Sequence, residues 1–313
     1  MKILITCPPM LRAINEFRHF FEEKNIELVL PEVVQVLSEE ELIELVPKVD
    51  GWIIGDDPAT ERVFKAGIEG SLKAAVKWGV GVDNVDFKAC EKLGIPISNT
   101  PRMFGNEVAD MAIAYFTGLA RDSYRVDREF RKGNWIKPPG MSLDSKTVAL
   151  VGIGDIGLAI ARRLKAFDVK INAYDPFSRL NASEANVDQV LPFPEKIGEA
   201  DFVILACALT TSNFHLINAE SIAKMKDGVI IINVSRGGLV DEDALVEALS
   251  SGKVKSAGLD VFEIEPLPAD SKLRQFDQCI FGTHNGSNTK EAVIRASLKA
   301  IELIFGYLGV QEI

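Results

Sequence analysis

Histidine and cysteine are scarce in this chain, three and four respectively among 313 residues. The cysteines, Cys7, Cys90, Cys207 and Cys279, are widely spaced and form no CxxC pair. That spacing excludes a zinc ribbon or a disulfide framework and fits buried free thiols in a reducing compartment. No apolar run approaches the roughly 18 residues of a membrane span. Basic charge is in deficit, with 35 Lys and Arg against 45 Asp and Glu and a net charge of −10. A chain of that balance, without a basic tract, is unsuited to nonspecific nucleic-acid binding. The N-terminal stretch MKILITCPPM has one lysine and a short apolar run stopped by Pro8-Pro9. It reads as a first strand and not as a signal peptide. The expectation is a cytoplasmic protein with a small-molecule partner, no nucleic acid, no membrane and no metal.

What is present is a core and a rhythm. Hydrophobic residues make up 47% of the chain, enough to fill two domains of ordinary size. Over the first hundred residues, short apolar runs (KILIT, IELVL, GWIIG, LKAAV, IPISN) alternate with helical patterns such as Met10–Lys24 and Glu39–Val49, the latter opened by Ser38 as N-cap. One long helical pattern follows, Asn106 to Lys132, and then a Gly- and Pro-rich connector, GNWIKPPG. A second alternating series runs through TVALV, VKINAYD, DFVILAC, GVIIINV, KSAGLDV and QCIFGTH. The segment from Asn288 to Leu308 reads as a closing amphipathic helix. Alternating strands and helices imply an α/β fold with doubly wound parallel sheets.

The run Val151-Gly152-Ile153-Gly154-Asp155-Ile156-Gly157 is a G-x-G-x-x-G between a strand and a helix, the context that gives this pattern meaning. Gly152 allows the tight turn, Gly154 admits a pyrophosphate to the backbone, and Gly157 lets helix and strand pack closely. The next strand ends in Asp175, placed to accept from a ribose 2′-hydroxyl and to repel a 2′-phosphate. The cofactor expected is NAD in preference to NADP, although Arg179 follows closely.

Ligands of open α/β sheets bind beyond the carboxyl ends of the strands. The residues there are Cys207, then Ser235 and Arg236, then Asp260, Glu263 and Glu265, then His284. His19 and His215 fall in a helical pattern and a polar loop and read as structural or solvent-facing. Why the buried run Ile230–Val234 should end in Ser235-Arg236-Gly237-Gly238 now has an answer. A strand end fixes a guanidinium fork for a carboxylate, and the glycines let the loop turn to aim it. A carboxylate beside His284 would hold the tautomer of its imidazole.

Together VGIGDIG with Asp175, NVSRGGLVDEDAL, GLDVFEIEPLP, THNGSNT, WGVGVDNVD and ISNTP resemble the D-2-hydroxyacid dehydrogenase family, in its phosphoglycerate-dehydrogenase-like branch. The resemblance covers nearly the whole chain. It implies a Rossmann NAD-binding domain over 101–288 and a discontinuous, flavodoxin-like substrate domain over 1–100 and 289–313, with a cleft between them. It places the substrate-orienting arginine on Arg236, the acid partner on Glu265 and the proton-transferring histidine on His284. Asp155 and Ile156 match the pair over the pyrophosphate. Thr100, Cys207, Val234, Ser235, Arg236, Asp260, His284 and Gly286 match cofactor-lining positions. Val80 and Gly81 match the backbone that holds the substrate carboxylate. The Asn106–Lys132 helix matches the arm through which the family forms homodimers.

Three departures stand out: Ala206 where His is common, Ala208 where Pro is common, and Thr283 in place of a usual Pro. An added regulatory domain, present in many phosphoglycerate dehydrogenases, is not expected in this chain. The function expected is interconversion of a D-2-hydroxy acid and its 2-keto acid. Lys77 and Arg102 are candidates to favour a second anionic group, as in 3-phosphoglycerate or a dicarboxylate. The alternative is an NAD(H)-sensing, corepressor-like binding module on the same fold. A methyltransferase would have no need of the Arg–Glu–His set, and formate oxidation would have no alcohol proton for His284 to take.

Overall fold

The computed structural model describes residues 1–310. They fall into two compact units, Met1–Phe104 with the segment from Asn288 onward, and Gly105–Ser287.

The first unit begins β1 (Lys2–Ile5), α1 (Pro8–Arg12), α2 (Arg18–Glu22), β2 (Glu27–Val29), α3 (Glu39–Leu45) and β3 (Gly51–Ile54). It continues α4 (Glu61–Glu69), β4 (Ala74–Lys77), α5 (Phe87–Leu93) and β5 (Ile97–Asn99). Its five strands are all parallel, in the order β2-β1-β3-β4-β5, the flavodoxin-like winding. Both faces of the sheet are covered, so β3 and β4 are buried at every position. The expected cap at Ser38 forms a full capping box with Glu41. Met10–Lys24 is not one helix but α1, a 3-10 turn at Ile14–Glu16, and α2. Its buried residues, Met10, Ile14, Phe17 and Phe21, keep a helical spacing, so the period is right while the backbone tightens between the two pieces.

Asp57 is the buried acid among the described residues of this unit. Its carboxylate accepts from the Leu37 N–H at 2.9 Å, the Gly55 N–H at 3.1 Å and the Thr6 hydroxyl. Burial raises its pKa against those three donors.

The second unit begins with α6 (Gly105–Arg121) and α7 (Ser123–Arg131). Here the single long helix expected over Asn106–Lys132 is two. Asp122 takes φ 54, a left-handed conformation that Asp tolerates better than most residues. The Tyr124 ring then folds back over Gly118, where an added Cβ would stand 2.3 Å from it. The apolar stripe of α6, including Val108, Ala112, Tyr115, Phe116 and Leu119, is buried. It packs inside its own unit, while α7 buries no residue.

The sheet that follows comprises β6 (Thr147–Val151), then α8 (Asp155–Leu164), β7 (Lys170–Tyr174), β8 (Gln189–Val190) and β9 (Phe202–Leu205). After these come α9 (Ala219–Lys224), β10 (Val229–Asn233), α10 (Glu242–Ser251), β11 (Val254–Leu259) and β12 (Ile280–Phe281). All seven strands are parallel, in the order β12-β11-β10-β9-β6-β7-β8. The order reverses beside β6, which pairs with both β7 and β9; such a switch point is where dinucleotides bind. α6 packs against α8, β10 and β11.

The final helix α11 (Lys290–Leu308) belongs to the first unit and packs on β3 and β4. Gly51 has no Cβ to keep it away; one there would stand 3.0 Å from Leu308 and 3.1 Å from Ile304. Among the described residues, no helix is long and apolar enough to cross a membrane.

Candidate active site

The three glycines after β6 are not equivalent. Gly152 has φ 94, and a Cβ on it would lie 2.7 Å from the Cys207 backbone. On Gly157 a Cβ would lie 2.0 Å from the Gly152 carbonyl oxygen. These two positions close the strand–turn–helix junction. Gly154 is the opposite case: a Cβ there meets no protein atom within 4 Å. The space over Gly154 lies at the first turn of α8, whose Asp155 and Ile156 N–H groups have no partner within the helix. That open cradle fits a pyrophosphate.

Asp175 ends β7. One carboxylate oxygen accepts from Ile153 N–H at 3.0 Å, and the other from Phe177 and Ser178 N–H at 2.9 and 3.1 Å. The acid is thus fastened to the glycine turn on one side and to its own loop on the other. The oxygen that accepts from Ile153 alone keeps a lone pair for a ribose hydroxyl. Cys207 packs on the same turn, its thiol pushed up to about 11, chiefly by burial. It is a neutral lining group at physiological pH, not a thiolate.

After β10 the chain is held by side chains that reach back into the sheet. Asn233 accepts from Ser235 N–H at 3.1 Å and donates to the Arg236 carbonyl at 2.8 Å. The Ser235 hydroxyl donates to the Leu205 carbonyl at 3.2 Å. Gly237 then presses so closely on the next strand's turn that a Cβ would lie 1.8 Å from the Phe262 carbonyl carbon. This glycine is required by contact and not by backbone angle. Arg236 thus leaves a rigid, buried frame, with Nη1 donating to the Ser235 carbonyl at 2.9 Å.

His284 follows β12 with φ 54. Its Nδ1 lies 2.7 Å from Glu265 Oε2, and both side chains are one-fifth exposed. Glu265 Oε1 accepts from Phe262 N–H at 2.9 Å. Asp260, expected to line the cofactor, turns its carboxylate inward. It accepts from Asn285 and Gly286 N–H at 3.1 and 2.7 Å and from the Tyr115 hydroxyl at 3.4 Å. Its carbonyl takes the His284 N–H at 2.7 Å. Asp260 therefore shapes the loop that carries His284. Burial raises the pKa of the Tyr115 phenol, and the Asp260 charge raises it further. Sequence reasoning missed Tyr115 and Asn233. The signal for Asn233 was legible as a lone polar residue ending a run of three isoleucines.

In the first unit the expected ligands behave differently. Lys77, at the end of β4, is 2% exposed, with Nζ 3.0 Å from Asp56 and 3.0 Å from the Trp78 carbonyl. Its charge is turned inward because Asp56, beyond the end of neighbouring β3, holds it there. Thr100 is buried, and its hydroxyl accepts from Gly79 N–H at 2.8 Å; it pins the glycine loop to β5. Val80 is exposed, Gly81 half-buried and Arg102 exposed. No group of His, Cys, Asp and Glu suited to a metal occurs among the described residues.

The model of the D-isomer specific 2-hydroxyacid dehydrogenase NAD binding domain matches residues 113–286. A hydroxypyruvate reductase of Thermotoga maritima is 39% identical over 283 residues, 88% of this chain and 90% of that protein. A D-3-phosphoglycerate dehydrogenase of Archaeoglobus fulgidus is 34% identical over 301 residues, 95% of this chain but 55% of that protein. Among solved structures, an NAD-dependent formate dehydrogenase from Staphylococcus aureus in complex with NAD superposes with a TM-score of 0.86. It is 26% identical and covers 99% of this chain and 96% of its own.

Proposed function

The chain belongs to the D-isomer specific 2-hydroxyacid dehydrogenase family, and from that premise we propose that it reduces a small 2-keto acid with an uncharged tail, of the hydroxypyruvate or glyoxylate kind. It is an NAD-dependent enzyme that interconverts D-2-hydroxy acids and 2-keto acids. The NAD(H)-sensing alternative is not favoured, since the named relatives are enzymes.

The observation that carries the reading of the site is the His284–Glu265 pair at 2.7 Å. Bound NAD supplies the hydride donor or acceptor. This chain's residues supply the rest. Glu265 occupies Nδ1 and so leaves Nε2 of His284 as the atom that exchanges a proton with the substrate oxygen. Protonated, that nitrogen donates to the carbonyl in reduction; neutral, it accepts from the alcohol in oxidation. Arg236 offers a fork to the substrate carboxylate. In this reading 101–288 binds NAD, and 1–100 with 289–313 binds substrate.

Substrate choice follows from Lys77. A cation already paired with Asp56 offers little to a phosphate or a second carboxylate, which leaves Arg102 as the exposed cation near the loop in sequence. That favours hydroxypyruvate or glyoxylate over 3-phosphoglycerate. We further infer a cytoplasmic homodimer, joined through α7 and the residues after it. There Phe130 and Trp135 are 61% and 78% exposed and meet edge to face at 6.2 Å. The experiment is a panel of 2-keto acids with NADH and of their D-hydroxy acids with NAD. Hydroxypyruvate or glyoxylate should give the highest kcat/KM, and the reading is abandoned if phosphohydroxypyruvate exceeds both.

A further inference from the structure

Glu263 takes no part in the proposed chemistry, yet it stands at the junction of the two loops that supply it. Its Oε1 accepts from Glu242 N–H at 2.9 Å, and Glu242 Oε1 accepts in return from Glu263 N–H at 2.7 Å. This reciprocal pair ties the first residue of α10 to the turn after β11. Glu263 Oε2 lies 3.2 Å from Nε2 of His215, without the alignment of a hydrogen bond. His215 is itself anchored by its N–H on the Gly238 carbonyl at 2.8 Å, and its ring stacks on Phe214 at 3.9 Å. The Glu263 backbone also forms part of the surface against which Gly237 is pressed, 2.3 Å from a Cβ built there. On one side of this junction is Arg236; on the other, two residues away, is Glu265.

We propose that Glu263 is a positioning residue for the dehydrogenase reaction, fixing the Arg236 loop and the Glu265 turn in one register so that guanidinium and imidazole are aimed together. Charged groups meet here from every element. Asp241, Glu242 and Asp243 come from the start of α10, Glu263 and Glu265 from the turn, and His215 from the loop after β9. The His215 ring stands 3.2 Å from Glu263 and 3.9 Å from Asp241. The crowding is felt at Glu242, whose carboxyl is pushed up chiefly by burial, against the hydrogen bond it accepts from the Glu263 N–H, and further by the charges of Glu263, Asp243 and Glu265. The pair is part-exposed, so its weight lies in geometry more than in Coulomb energy. A reciprocal clamp of side-chain carboxylates on backbone N–H groups, behind the reacting groups, is a usual way to hold them to within a fraction of an ångström.

The inference rests on the Glu265–His284 relay, and the test separates the two. pH profiles of kcat/KM for reduction are recorded for wild type, Glu265→Gln, Glu263→Ala, Glu263→Gln and Glu242→Ala. Glu265→Gln reports whether the alkaline limb belongs to the relay at all. Glu263→Ala should raise KM for the keto acid and lower kcat, each about threefold to tenfold, with KM for NADH unchanged. It should also move the alkaline limb to lower pH. Glu263→Gln keeps the acceptor for the Glu242 N–H and should restore most of both effects. Glu242→Ala cuts the clamp from the other side and should reproduce the Glu263→Ala profile, even if that variant folds poorly. If Glu265→Gln moves the limb and neither alanine variant does, the positioning role is wrong and the relay stands. A Glu263→Gln profile equal to that of Glu263→Ala also overturns it, since only the charge would then matter. An unmoved limb in Glu265→Gln defeats the relay and the inference with it.

Discussion

Glu265 divides its two carboxylate oxygens between His284 and its own turn: Oε2 lies 2.7 Å from the imidazole Nδ1, and Oε1 takes the Phe262 N–H at 2.9 Å. The acid cannot move without giving up one partner. An opposite charge at this distance favours the imidazolium. Replacing Glu265 by Gln should therefore lower the histidine's pKa. Reduction needs the charged ring, so its alkaline limb should move to lower pH; oxidation needs the neutral ring and should keep activity to lower pH. His284→Ala should reduce kcat by about 10²–10⁴-fold and leave NADH affinity, read by fluorescence titration, nearly unchanged.

The cofactor glycines should separate folding from binding. Gly154→Ala meets no protein atom within 4 Å, so its Tm should match wild type while its KM for NADH rises at least about tenfold. Gly237→Ala drives a methyl to 1.8 Å from the Phe262 carbonyl carbon and should lower Tm sharply before any kinetic effect can be read. Equal behaviour of the two variants in thermal melts would contradict this division.

Asp175 should make the enzyme selective for NAD. Its three backbone donors keep the carboxylate in place. A 2′-phosphate would lose a charge-assisted bond worth about 1.5–3 kcal/mol and meet like charge besides. Steady-state kinetics should show kcat/KM for NADPH at least about tenfold below NADH. Parity would remove Asp175 from the ribose site.

Much of this is legible in the sequence. The Gly turn, Asp175, Arg236, Glu265 and His284 all follow strands, and buried parallel strands announce themselves as unbroken apolar runs. Four things were hidden, each for a physical reason. The break at Asp122 depends on a left-handed residue and on Tyr124 folding back over Gly118, neither of which disturbs the apolar period of α6. The inward turn of Lys77 depends on Asp56, a partner just beyond the end of the neighbouring strand, and sequence spacing does not show which strands lie side by side. The tie between Glu242 and Glu263 joins residues far apart in the chain through backbone N–H groups, which leave no mark on side-chain pattern. Short polar β8 escaped notice because two residues carry no period.

Acid stability has an identifiable contributor in Asp201. Burial disfavours its charge, but Lys226 Nζ at 2.7 Å and Thr147 N–H at 3.0 Å outweigh that and lower its pKa. A carboxyl depressed in the folded state adds stability above its unfolded value, about 3.9. That stability is lost as pH falls through the lower, folded value. Asp201→Asn should cost about 1.5–3 kcal/mol at pH 7, and the gap from wild type should narrow as melts are repeated toward pH 3. A gap that widens in acid would reverse the assigned sign.

The exposed aromatic pair Phe130 and Trp135 should mark the homodimer contact. Light scattering at micromolar concentration should give twice the chain mass for wild type, and Phe130→Glu with Trp135→Glu should shift it toward one. A wild-type monomer would refute the assembly.

A ribosome delivers this molecule in an awkward order. The strands of the first sheet emerge before Gly105–Ser287, but α11, which covers β3 and β4, emerges after it. The whole of Gly105–Ser287, a compact unit of its own, is complete before then. The later-made unit can therefore finish folding while the earlier-made one waits with Gly51 and its neighbours uncovered, an interval in which chaperones have an apolar face to hold.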